Sequence, residues 1–406
     1  MHRLTVPAAS GASAPCVKSP AVYGGWRRAF FAGPWPPRPP CGPRATGACD
    51  TSGISGISDI SVHDRHRELS ALTLPTSAEG VPDSRRTRSV GIGRAHAKAI
   101  LLGEHAVVYG APALALPIPQ LTVTASAGWS AQPGDGQGDL SYTVTGSPSR
   151  AMVTQASDGL RRLAAEFKTR MGVSGRPYLD VILDGAIPHG RGLGSSAASS
   201  RAIAFALADL FGRELDETTA FELVQTAENM AHGRASGVDA MTVGALRPLL
   251  FRAGRTQEVR LGCDGLFIVA DSGQPGSTRE AVELLREGFE HRPGARTRFV
   301  GRATQLTEEA LLALAEGRAG DLGRRMTDYH ALLRAASLST GPIERLVAAA
   351  LGAGSLGAKI TGGGLGGCMI ALAPPQRARE VTRRLHEAGA VQTWLVPLKG
   401  LDNHAP

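Results

Sequence analysis

The segment Pro188-His-Gly-Arg-Gly-Leu-Gly-Ser-Ser-Ala-Ala-Ser-Ser200 alternates glycine with larger residues and then runs into small, helix-compatible ones. Gly190, Gly192 and Gly194 allow positive φ and a close approach of backbone to a ligand. Ser195 is of a type that caps a helix start. The first turn of that helix offers N–H groups and the positive end of its dipole to an anion. Such a loop is built to cradle phosphates. It is not a Walker A loop, because no lysine follows the last glycine. It is not a dinucleotide fingerprint either, because Ser195 stands where the third glycine of that pattern belongs. Taken alone, the segment also fits a plain glycine-rich turn closed by a serine cap.

Outward from this loop, the pattern mixes strands and helices. Residues 91–108, 113–129, 140–145 and 178–183 are strand-like, with β-branched residues and turn punctuation, while 150–171 has apolar residues at helical spacing. Helices are expected at 195–211 and 217–231. A strand at 266–271 precedes helices at 277–290, 298–316, 322–335 and 342–351. Strands near 358–360 and 368–372, a helix at 376–387 and a strand at 391–396 close the pattern. The order points to an α+β fold and not to a doubly wound sheet.

Composition narrows the class. The 406 residues are 42% hydrophobic and 20% charged, as in a globular protein and unlike a collagen or coiled coil. No apolar run is long enough to span a membrane. The net charge of +8 is uneven. Residues 1–88 hold 11 basic and 6 acidic residues, leaving 33 against 30 in the rest. The body thus shows no sign of nucleic-acid binding. The head is rich in proline and polar residues and reads as a disordered extension. A transit peptide is the alternative, although no amphipathic helical pattern supports it. Five cysteines without metal-like spacing point to a reducing cytoplasm.

Three segments together resemble the GHMP kinases. Pro188–Ala198 is similar to their phosphate loop. Arg94-Ala-His-Ala-Lys-Ala-Ile-Leu-Leu-Gly-Glu-His-Ala-Val-Val-Tyr-Gly110 is similar to their first motif, and Lys359-Ile-Thr-Gly-Gly-Gly-Leu-Gly-Gly-Cys368 to their last. The motifs occur in the family's order and leave only the head without a counterpart. Gly103–Gly110 resembles the form found in mevalonate kinases. A galactokinase would follow Glu-His with Thr-Asp, phosphomevalonate kinases tend to carry Glu-Tyr, and a homoserine kinase would lack the pair. Leu365 departs from the family by placing a side chain in a loop that usually has none.

The resemblance implies a two-domain fold: a ribosomal-protein-S5-like α+β domain at 89–265 and a ferredoxin-like α+β domain at 266–406, with a ligand cleft between them. It implies ATP-dependent phosphorylation of the mevalonate C5 hydroxyl. Pro188, Gly190, Arg191, Gly192, Leu193, Gly194, Ser195 and Ser196 would hold ATP, joined by Lys98. Ser196 and Glu228 would be Mg²⁺ ligands, and Asp239, in Ser236-Gly-Val-Asp239, the catalytic base with Lys98 beside it. Glu104, His105, Thr278, Thr361 and Gly363 would face the substrate. Each also has a plainer reading: Glu228 as a solvated helix residue, Asp239 as a turn former, Lys98 as an edge residue, His105 as a core histidine. Ser277-Thr278 is equally a helix cap, and Cys368 reads as a small buried apolar residue. A GHMP kinase acting on phosphomevalonate or another small alcohol, and a ligand-sensing pseudokinase, are the alternative functions. Partners are small molecules, with no nucleic acid or membrane; a homodimer is left open.

Overall fold

The computed structural model describes residues 88–130, 140–145, 150–173, 178–233, 235–260 and 262–398. The head read as a disordered extension lies, apart from Arg88, outside the described residues.

The first sheet is organised around one long strand. β2 (Ala113–Ser130) pairs antiparallel with β1 (Val90–Leu102) along one edge. Its other edge is shared. Val123–Ser130 pairs with β4 (Tyr178–Gly185), and Ala113–Ala115 with β5 (Leu249–Arg252). β3 (Leu140–Thr145) lies parallel to β4, and β6 (Arg255–Glu258) closes a hairpin with β5. Four helices follow in chain order here: α1 (Arg150–Arg170), α2 (Ser195–Leu210), α3 (Glu217–His232) and the short α4 (Val238–Thr242).

α2 is the buried spine of this half. Ala197, Ala198, Ala202, Ile203, Ala206, Leu207 and Leu210 are all buried, so the helix has almost no solvated face. Its backbone lies close against β1. A β-carbon on Gly93 would fall 2.0 Å from the Ala202 carbonyl oxygen, so only glycine lets helix and strand meet there.

The second sheet has the order β10-β7-β9-β8, antiparallel throughout. Its strands are β7 (Leu266–Asp271), β8 (Gly357–Thr361), β9 (Cys368–Ala373) and β10 (Gln392–Pro397). Between β7 and β8 come α5 (Thr278–Glu290), α6 (Ala295–Ala315), α7 (Ala319–Ala335) and α8 (Gly341–Gly352), and α9 (Ala378–Glu387) precedes β10. β8 and β9 are wholly buried, which explains their lack of alternation. No helix among the described residues is long and apolar enough to cross a membrane.

Three details differ from the sequence reading. The strand expected over 91–108 stops at Leu102, where positive φ at Gly103 (105°) and His105 (62°) turns the chain into a 3-10 segment, Ala106–Tyr109. The β5–β6 hairpin has no counterpart among the expected strands; it turns through Ala253 (φ 50°) and Gly254 (φ 75°). Ser195 is not the cap of α2. Gly194 takes that position with φ 74°, and no side chain caps the helix.

Candidate active site

Gly190, Gly192 and Gly194 all have positive φ, at 66°, 78° and 74°, and the chain then enters α2. The two later glycines also make room. A β-carbon on Gly194 would sit 2.8 Å from Lys98 Cγ, and one on Gly192 would sit 2.9 Å from the Thr361 carbonyl oxygen. With its N-terminus uncapped by any side chain, α2 directs its first N–H groups into a cleft of about 450 Å³. That volume is ordinary for a small-molecule site.

Gly190, Arg191, Gly192, Gly194, Ser195, Ser196, Glu228, Asp239, Thr278, Thr361 and Gly363 all line this cleft. The expected phosphate-loop, metal and catalytic positions from α2, α3 and α4 thus meet residues from the α5 and β8 ends. Leu193 is different: its side chain is buried, and its carbonyl accepts the Lys98 backbone N–H at 3.0 Å. Pro188 is half-buried beside the lining.

Lys98 lies beneath the cleft. β1 carries it, sealed at 2% exposure, and its Nζ donates to Asp239 Oδ1 at 2.9 Å and to the Gly192 carbonyl at 3.2 Å. Asp239, in the first turn of α4, is 35% exposed and faces the cleft. A buried ammonium thereby joins the phosphate loop to a carboxylate. Ser196 on α2 and Glu228, buried on α3, add a hydroxyl and a second carboxylate to the lining. Among the described residues no group of three or more His, Cys, Asp or Glu is arranged as a metal centre.

Glu104 and His105 stand behind the lining and are not part of it. Glu104 is buried in an ion pair with the fully buried Lys359, and Tyr329 Oη donates to the Glu104 carbonyl at 3.0 Å. Burial pushes the Glu104 carboxyl up and the Lys359 ammonium down, while the contact between them opposes both shifts. His105 packs against the Gly363 backbone, and burial lowers its ring to about 4. Thr361 lines the cleft, but its hydroxyl is engaged with β1. It accepts the Ile100 N–H at 3.0 Å and donates to the Ile100 carbonyl at 2.9 Å. Ser277 is the N-cap of α5, accepting from the Glu280 N–H, which leaves Thr278 beside Gly363. Leu365 adopts φ 58°, held by its N–H to the Leu338 carbonyl at 2.8 Å and by packing against the core.

Lys359 and Arg279 carried no role in the sequence reading. Lys359 had a signal, a lysine in an apolar strand; Arg279, which lines the cleft and donates to the Ala231 carbonyl at 2.9 Å, had none.

Comparison with known proteins agrees with this architecture. Residues 158–245 match the GHMP kinases N terminal domain, and residues 310–391 match the GHMP kinases C terminal family. A mevalonate kinase of Pyrococcus horikoshii is 34% identical over 320 residues, covering 74% of this chain and 93% of that protein. The chain belongs to the mevalonate kinase family of GHMP kinases. A second family member, from Thermococcus sibiricus, is 32% identical over 330 residues, covering 74% of this chain and 94% of its own. In fold, the chain resembles L. major mevalonate kinase, solved in complex with R-mevalonate. The TM-score is 0.65 at 24% identity, covering 78% of this chain and 98% of that one. The GHMP kinase fold therefore accounts for both sheets and the cleft they frame.

Proposed function

We propose that the protein transfers the γ-phosphoryl group of ATP to the C5 hydroxyl of (R)-mevalonate, giving 5-phosphomevalonate and ADP in the route to isoprenoids. The observation that carries this reading is the contact of Lys98 with both Asp239 and Gly192, which sets a carboxylate beside a phosphate loop. That its relatives are mevalonate kinases points to the substrate.

Asp239 takes the proton of the C5 hydroxyl as its oxygen forms a bond to the γ-phosphorus. The bond from that phosphorus to the bridging oxygen breaks, and its electrons leave with ADP. Lys98 supplies fixed positive charge in a dry environment, where it stabilises negative charge most effectively. The α2 N-terminus and the Gly190–Gly194 backbone hold phosphate oxygens, with Ser195 at the start of that helix. Thr278 and Gly363 border the acceptor side; Glu104 and His105 support that side from behind.

The residues present fit Mg²⁺. Ser196 and Glu228 place two hard oxygen donors in one cleft beside the phosphate loop. Mg²⁺ needs only one or two protein ligands because it keeps waters and binds phosphates. When bound with ATP, it supplies charge neutralisation to the transferring group. The described cysteines, Cys263 and Cys368, are both free and buried, which favours a cytoplasmic setting.

A coupled ADP-release assay across mevalonate, phosphomevalonate, galactose and homoserine tests the proposal. Turnover with mevalonate well above the other three is the expected result. Preference for any other acceptor overturns it.

A further inference from the structure

Arg191 stands in the middle of the phosphate loop, where an arginine invites the reading of a phosphate ligand. Its guanidinium turns the other way, toward the second sheet. Nε donates to Asp271 Oδ2 at 3.1 Å, and Nη2 donates to the Gly273 carbonyl at 3.0 Å. Asp271, buried at the end of β7, also accepts the Gly273 N–H through Oδ1 at 2.8 Å. The carboxylate therefore shapes the turn that the guanidinium grips.

The main chain makes the same connection. The Gly190 carbonyl accepts the Gly276 N–H at 2.8 Å, and the Arg191 carbonyl accepts the Cys368 N–H at 3.2 Å. Adjacent loop residues are thus tied to the turn after β7 and to the start of β9. A loop with glycine at alternate positions has backbone freedom that must be lost when it closes around phosphates. Removing that freedom beforehand strengthens binding without adding a ligand contact. The planar fork of arginine suits this task, because it engages two acceptors at fixed geometry.

We infer that Arg191 is a positioning residue: with Asp271 it clamps the phosphate loop onto the second sheet in its nucleotide-binding conformation. The inference rests on the reading of the cleft as an ATP site. The clamp makes Asp271 as important to nucleotide affinity as Arg191, although Asp271 lies outside the phosphate loop.

The test is titration of the full chain with a fluorescent ATP analogue and Mg²⁺, without acceptor, alongside thermal melting and the KM for mevalonate. Arg191→Ala and Asp271→Asn are each expected to weaken nucleotide binding by about tenfold, the scale of a charge-assisted hydrogen bond. The double variant should be no weaker than the weaker single one, because the two side chains act as a unit. Arg191→Lys should recover part of the loss, and the KM for mevalonate should stay within about twofold. If Asp271→Asn binds the nucleotide like wild type while Arg191→Ala does not, Arg191 is a direct phosphate ligand and the clamp is wrong. If the variants melt early and lose affinity for both substrates alike, the pair is merely structural, and the clamp is again wrong. A wild-type chain that binds no nucleotide removes the ATP reading itself, and the clamp with it.

Discussion

Lys98 Nζ and Asp239 Oδ1 are 2.9 Å apart, with the ammonium sealed in the protein and the carboxylate turned to the cleft. This asymmetry separates their tasks. In the proposed mechanism Asp239 exchanges a proton with the bound hydroxyl, and Lys98, sealed from the cleft, acts only through its charge. Asp239→Asn should lower turnover by about 10²–10⁴-fold, or roughly 3–5 kcal/mol of barrier, while sparing ATP binding. Lys98→Met should also be severe, and the double variant should lose far less than the product of the two single losses. Near wild-type turnover in Asp239→Asn would assign this carboxylate to the fold and remove it from the mechanism.

Ser196 and Glu228 offer oxygens from two helices to the same cleft. Ser196→Ala and Glu228→Gln should each raise the Mg²⁺ concentration needed for half-maximal rate, with circular dichroism unchanged. A titration of rate against Mg²⁺ at saturating ATP measures this. An unaltered Mg²⁺ dependence in Glu228→Gln would show that this carboxylate does not meet the ion.

The Glu104–Lys359 pair is buried on both sides, so each member offsets the cost of burying the other. Glu104→Gln, which leaves the ammonium in a dry site, should cost about 3–5 kcal/mol in denaturant unfolding. Adding Lys359→Met should restore a good part of that loss, since the stranded charge is gone. Single and double variants that unfold alike would disprove the coupling.

His105 gives the fold a pH dependence of known sign. Burial holds its ring near 4, against the ordinary histidine value of 6.5, so the folded state binds the proton less readily than the unfolded chain. Its contribution is complete above about 6.5 and fades as pH falls toward 4, by at most roughly 3 kcal/mol. Asparagine accepts the positive φ at this position (62°) more readily than most residues. Unfolding of His105→Asn at about pH 7 and pH 5 should therefore show a smaller stability loss on acidification than wild type. Equal losses in both proteins would refute the assignment.

Much of the local architecture was legible because it is written in local chemistry. β3 falls where alternation placed it and β7 where a strand is expected at 266–271, and glycines at 190, 192 and 194 do adopt positive φ ahead of a helix. The short α4 and the strands β5 and β6 escaped notice because four or five residues are too few to show a period. The end of β1 escaped for a different reason. Apolar residues continue past Leu102, yet the backbone turns at Gly103, pressed against Pro112 and Ala113, and again at His105.

What the amino-acid order determined by itself was the menu of elements, the phosphate loop and the residue types available for chemistry. Which of those residues meet was decided only by the tertiary structure. Lys98 and Asp239 come from a strand and a helix far apart in sequence, and their contact depends on β1 lying beneath α2 at glycine distance. The same packing turned Glu104 toward Lys359 and Arg191 toward Asp271. A charged side chain removed from water goes where a partner offsets its desolvation, and that partner is set by how the sheets and helices pack.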